Sequence, residues 1–64
     1  MLAYQERVVD EKRELDKKIE ALSAFMDGAI FDTVPREEQA RLHWQRVAMK
    51  SYSAALGERI AAFQ

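Results

Sequence analysis

The apolar positions of the chain fall into two long helical stripes separated by a short break. Between Ala3 and Met26 there is no Gly or Pro, and Glu, Lys, Arg, Leu and Ala dominate, all of them good helix formers. Apolar side chains recur at Tyr4, Val8, Leu15, Ile19, Leu22 and Met26. From Leu15 onward the steps are four, three and four, the seam period of a packed helix. This predicts a helix over 3–27. Oppositely charged residues one turn apart (Arg7 with Glu11, Asp10 with Arg13, Glu14 with Lys18) mark a solvated face. Asp27-Gly28 reads as the stop, with Gly28 free to take a positive φ. Ile30, Phe31 and Val34 make the connector 28–34 apolar, which predicts that it folds back over the end of the core. Pro35 suits the first position of a second helix, Thr33 is the chemically better cap before it, and Glu37 and Glu38 sit near the positive helix end.

Leu42, Met49, Leu56 and Phe63 then recur at strict sevens, with Gln45, Tyr52 and either Arg59 or Ile60 at the intermediate positions. This predicts a second helix over 35–63. Gly57 costs such a helix about 1 kcal/mol relative to Ala, but the apolar period passes through it unbroken, so the helix is expected to continue. A short connector makes the two helices antiparallel neighbours, and the predicted fold class is all-α, an antiparallel helical hairpin in one domain over 1–64. Trp44, Val47, Ala48, Ser51 and Ala55 lie off the main seam and form a second apolar face. A hairpin with two such faces associates or aggregates. The expectation is therefore a homo-oligomer built as a helical bundle, with Trp44, Val47 and Ser51 as interface residues.

Size sharpens this expectation. A chain of 64 residues buries only about 60% of the surface its unfolded form exposes and is marginal without help. It has no cysteine and one histidine, so neither a disulfide nor a dedicated metal site supplies that help, and no metal or other cofactor is expected. Regular helix packing and self-association remain. Charged residues make up 33% with a net charge of −1, which argues against a nucleic-acid partner. No apolar run approaches the roughly 20 residues of a membrane span, and no charged-then-apolar leader is present. A cytoplasmic protein without a membrane partner is the plain expectation.

Candidate chemistry enters where the seam turns polar. Glu11 and Lys12 interrupt it between Val8 and Leu15, Gln45 and Arg46 between Leu42 and Met49, and Arg59 beside Ile60. An antiparallel hairpin brings Tyr4, Arg7, Val8, Glu11 and Lys12 towards Tyr52, Ser53, Leu56, Arg59 and Ile60. Aromatic faces, guanidinium groups, an ammonium and a hydroxyl suit a ligand with a base to stack and a phosphate to pair. The proposed ligand set is Tyr4 and Tyr52 for stacking, Arg7, Lys12 and Arg59 for phosphates, and Ser53 or Gln45 for hydrogen bonds. The alternative reading is structural: Glu and Arg pairs that fix bundle register, tyrosines with core rings, and Lys12 snorkelling to water. Trp44 reads as an interface anchor rather than a stacking platform. His43 reads as a surface residue, with no second ligand at metal spacing. Catalysis has little footing. There is no thiol nucleophile, no Ser-His-acid set and no Gly-rich phosphate loop, and Glu11 lacks a second carboxylate one turn away on its face.

The segments Tyr4 to Lys12, Glu14 to Lys18 and Leu22 to Phe25, with Glu38 to Leu42, Met49, Tyr52-Ser53 and Leu56 to Ile60, resemble a family of very short phage and prophage proteins described as related to a crAss-like phage protein. The match covers nearly the whole chain, and it implies a phage origin rather than an activity. In size, helical content and expected assembly the chain is also similar to helical-hairpin phage sponges, which trap cyclic nucleotide immune signals at subunit junctions. That likeness is one of fold, without residue correspondence. It implies a non-enzymatic counter-defence protein in the host cytoplasm that sequesters a cyclic nucleotide or cyclic ADP-ribose type signal. The other expectations are a module that binds a host protein through the Trp44, Val47 and Ser51 face, and a structural phage accessory protein.

Overall fold

The computed structural model describes all 64 residues. Helix α1 runs over Ala3–Asp27, a single 3-10 turn over Ala29–Thr33, and helix α2 over Arg36–Ala61. There is no strand; the fold is all-helical, and α1 and α2 pack as a hairpin. Its extents are 47 × 15 × 13 Å and its radius of gyration is 14.7 Å, where a compact chain of this length has about 11 Å. The molecule is a rod.

Each end of α1 is closed by a local bond. Gln5 is buried, and its Oε1 accepts the Leu2 backbone N–H at 2.9 Å, satisfying a donor that the helix itself leaves free. At the other end the Gly28 N–H donates to Phe25 O at 3.2 Å. Gly28 has φ −87° and ψ 165°, so the positive φ expected there is not used. The chain leaves α1 in extended geometry and needs no left-handed residue, because the 3-10 turn begins at once.

Thr33 does not cap α2. Its Oγ1 donates to Ile30 O at 2.6 Å, spending the hydroxyl on the 3-10 turn. The residue before α2 is Pro35, which has no side chain with which to cap. Gln39 takes over the closing role from inside the helix. Its Nε2 donates to Phe31 O at 3.1 Å and Val34 O at 2.8 Å, pinning the connector to α2. Phe31 is buried and meets Phe25 and His43 edge-on, with ring centroids 6.0 and 5.7 Å away. His43 is exposed, as read from the sequence, but its ring also closes this end of the core. Helix α2 passes through Gly57 without a break and stops at Ala61, so Phe63 lies beyond it. Its ring still packs edge-on against Tyr4 at 6.0 Å and closes the open end of the hairpin.

The core is thin. Val8, Leu15 and Leu56 form its buried centre, flanked by the partly buried Ile19, Met49, Ile60 and Phe63. Seven residues in all are buried, and no large side chain is fully enclosed. Meanwhile Trp44 is 76% exposed and Val47 62%, both on the side of α2 turned away from Leu42, Met49 and Leu56.

Candidate functional site

Helix phase sorts the polar seam residues onto two flanks. Positions three before and four before a core residue point to opposite sides of it. Around Leu15, Lys12 takes one flank and Glu11 the other; around Leu56, Ser53 and Tyr52 divide in the same way. The hairpin therefore has two polar sides, and the structure gives each its own depression.

On the first flank Lys12, Asp16 and Ser53 close a cluster across the helix interface. Lys12 Nζ donates to Ser53 Oγ at 2.8 Å and to Asp16 Oδ2 at 3.0 Å. The Ser53 hydroxyl donates to Asp16 Oδ1. Ser53 is 7% exposed, so the cluster satisfies a hydroxyl that would otherwise be buried unpaired. The Ser53 hydrogen bond, reinforced by that from Lys12, holds the Asp16 carboxyl below its ordinary range. Gly57 stands beside the cluster, where a Cβ would lie 3.6 Å from Lys12 Cε. A shallow depression opens next to it, edged by Lys12, Arg13, Asp16 and Lys17.

On the second flank Arg7, Asp10, Glu11, Glu14 and Lys18 of α1 surround a depression whose α2 wall is Tyr52. The Arg7–Glu11 and Glu14–Lys18 pairs suggested by spacing do not close; the ion pairs of the chain are Lys12–Asp16, Asp10–Arg13 and Glu38–Arg41. The open pairs leave the Arg7 and Lys18 charges turned to the depression. Glu11 also shares it with Asp10 and with Glu14 three residues on, which corrects the expectation that Glu11 lacks a second carboxylate one turn away on its face. Tyr52 is 47% exposed, which leaves half of its surface free to meet a ligand. Gln45 and Arg59 stand two turns to either side of Tyr52 on the same face of α2. Gln45 Nε2 lies 3.9 Å from Met49 Sδ.

The seven proposed ligand residues are thus divided. Arg7 and Tyr52 share one depression, Lys12 and Ser53 are bonded to each other on the other flank, and the Tyr4 ring is engaged with Phe63. Asp16 was not among them, although Lys12-x-x-x-Asp16 is a spacing that marks a helical ion pair. Trp44 edges a third, shallow depression with Arg41, Gln45 and Ala48. No group of His, Cys, Asp and Glu is arranged to hold a metal ion, and no helix is long and apolar enough to cross a membrane.

No solved structure matches the chain. Its sequence is 50% identical, over 64 residues and the whole of both chains, to an uncharacterized 7.5 kDa protein of the denB-rIIB intergenic region of Enterobacteria phage T4. The phage side of the resemblance stands on this relative, whereas the crAss-like label does not, because the family model that matches, over residues 2–62, is a different one. The chain belongs to the Sequestin family.

Proposed function

We propose that the protein is a non-enzymatic phage counter-defence factor that sequesters a nucleotide-derived signal in the host cytoplasm, at a site between helices of a homo-oligomer. The observation that carries this reading is the depression lined both by a half-exposed tyrosine, Tyr52, and by two cations left free of ion pairs, Arg7 and Lys18. An aromatic face stacks on a base, and a guanidinium clamps a phosphate bidentately. Arg59 and Gln45, on the same face of α2, extend the site for a second phosphate and for hydrogen bonds to the base. Lys12 and Ser53, proposed at first as ligand groups, serve the hairpin by holding its register with Asp16. Membership of a family named for sequestering, and a phage relative of the same length, support the same reading. The surrounding Asp10, Glu11 and Glu14 carboxylates repel simple anions. The site therefore favours ligands that add stacking to charge.

Isothermal titration calorimetry with a panel of cyclic di- and trinucleotides and cyclic ADP-ribose isomers tests this. One of them binds at micromolar concentration or tighter, and Arg7→Ala or Tyr52→Ala weakens it by about tenfold or more, equivalent to about 1.4 kcal/mol. If none of the panel binds at micromolar concentration, the proposal fails.

A further inference from the structure

The outward face of α2 has an internal symmetry. Ala40, Trp44, Val47, Ser51, Ala55, Glu58 and Ala62 are all exposed and share the side opposite Leu42, Met49 and Leu56. From Ser51 the steps run four, three and four residues towards either end. A face whose spacing reads the same in both directions is matched by a second copy of itself turned through a half-circle. The chemistry is matched as well as the spacing. A half-turn through Ser51 lays Val47 on Ala55 of the second copy, Trp44 on Glu58, and Ala40 on Ala62, so each bulky side chain meets a smaller or flexible one.

We propose that two copies associate through α2 in antiparallel fashion, with the two-fold axis at Ser51. This deepens the sequestering reading by naming the contact on which its oligomer rests. Two features make a second copy the occupant. The stripe carries one charge, Glu58, and the half-turn brings donors to it: the Trp44 indole N–H opposite, and one turn aside the Arg41 guanidinium, whose Nε is taken by Glu38 and whose terminal N–H groups are left over. The outward face of α1 offers no such surface, because it carries the exposed Glu6, Asp10, Arg13 and Lys17. Four of the seven stripe residues are alanine or serine, which brings the backbones close. With axes about 8–10 Å apart and Cα atoms at a radius of about 2.3 Å, the two Ser51 Cα atoms approach to roughly 3.5–5.5 Å. The same dimer sets Arg41, Trp44 and Gln45 of one copy beside Ala55 and Glu58 of the other. The edge of the Tyr52 and Gln45 side of α2 thereby becomes a subunit junction.

The chain has no cysteine, so crosslinking reads the register directly, with no ligand present. Oxidised Ser51→Cys protein should run as a disulfide dimer, since the expected Cα separation overlaps the range a disulfide spans. Arg13→Cys, on the outward face of α1, should stay at least about tenfold less crosslinked under the same conditions, because its thiols have no fixed neighbour. Native mass spectrometry of the unmodified chain should give twice 7.4 kDa, falling to the single mass in Trp44→Asp with helical circular dichroism retained. A monomer at high micromolar concentration overturns the proposal, and so does crosslinking as efficient at position 13 as at 51. Should Trp44→Asp lose its helicity, the Ser51→Cys and Arg13→Cys comparison decides alone. Binding of the calorimetric panel is read separately, so a dimer that holds no nucleotide refutes the ligand and leaves this interface standing.

Discussion

Replacing Leu56 by alanine removes the most enclosed side chain of the hairpin. Leu56 is 2% exposed and packs with Val8 and Leu15, the two other members of the buried centre. Core Leu→Ala changes cost about 2–5 kcal/mol, increasing with the cavity that remains. Here the site lies between two helices with open flanks, so neighbours close part of the gap, and we expect the lower part of that range, about 2–3 kcal/mol. A domain of this length holds about 3–10 kcal/mol in total. One side chain therefore decides a large fraction of whether the chain is folded. At about 4–8 °C per kcal/mol for small domains, thermal unfolding followed by circular dichroism at a fixed protein concentration should show Tm lower by about 10–20 °C. Ile30→Ala, at a position 69% exposed on the connector, is the control and should stay within about 0.5 kcal/mol of the unmodified protein. If Leu56→Ala lowers Tm by no more than Ile30→Ala does, the contact described here is not what holds the helices together.

Two further outcomes follow from the first flank. Gly57→Ala places a Cβ in ordinary contact with Lys12 Cε, at 3.6 Å and otherwise in open space, while removing the entropic penalty of a mid-helix glycine. It should stabilise the fold by about 0.5–1 kcal/mol, read as a Tm rise of a few degrees; a fall in Tm refutes the geometry at the cluster. The Asp16 carboxyl is held below its ordinary range by Ser53 and Lys12, so the folded state binds its proton less readily than the unfolded chain. That contribution is complete above the unfolded carboxylate value of about 3.9 and is lost as pH falls through the lower folded value. Denaturant titrations across acidic pH should show the loss in the unmodified protein and a flatter profile in Asp16→Asn; identical profiles refute the assignment.

The hairpin was legible because its information is periodic. Leu42, Met49 and Leu56 repeat at sevens, and Leu15, Ile19, Leu22 and Met26 repeat at fours and threes; burial enforces both patterns. The connector was less legible, because Gly28 and Thr33 each have several permitted roles and the choice between them depends on the 3-10 turn that follows. The candidate site divided for a different reason. Reading Arg7, Lys12, Tyr52 and Ser53 as one group uses their height along the rod, whereas a helix also assigns each residue an azimuth. Lys12 and Ser53 share one azimuthal side, Arg7 and Tyr52 the other. Asp16 escaped notice because a lysine and an aspartate four residues apart look like any surface pair until a serine from the facing helix joins them.

The one tryptophan of the chain stands on the outward face of α2, far from the centre where Leu56 is held. In a single copy, separating the helices changes little around an indole already open to water, so its emission would be nearly blind to the melting of an unassociated hairpin. Whatever covers that face, however, would shift its colour to the blue and shield it from quenchers. The molecule thus carries its own optical gauge of company rather than of folding.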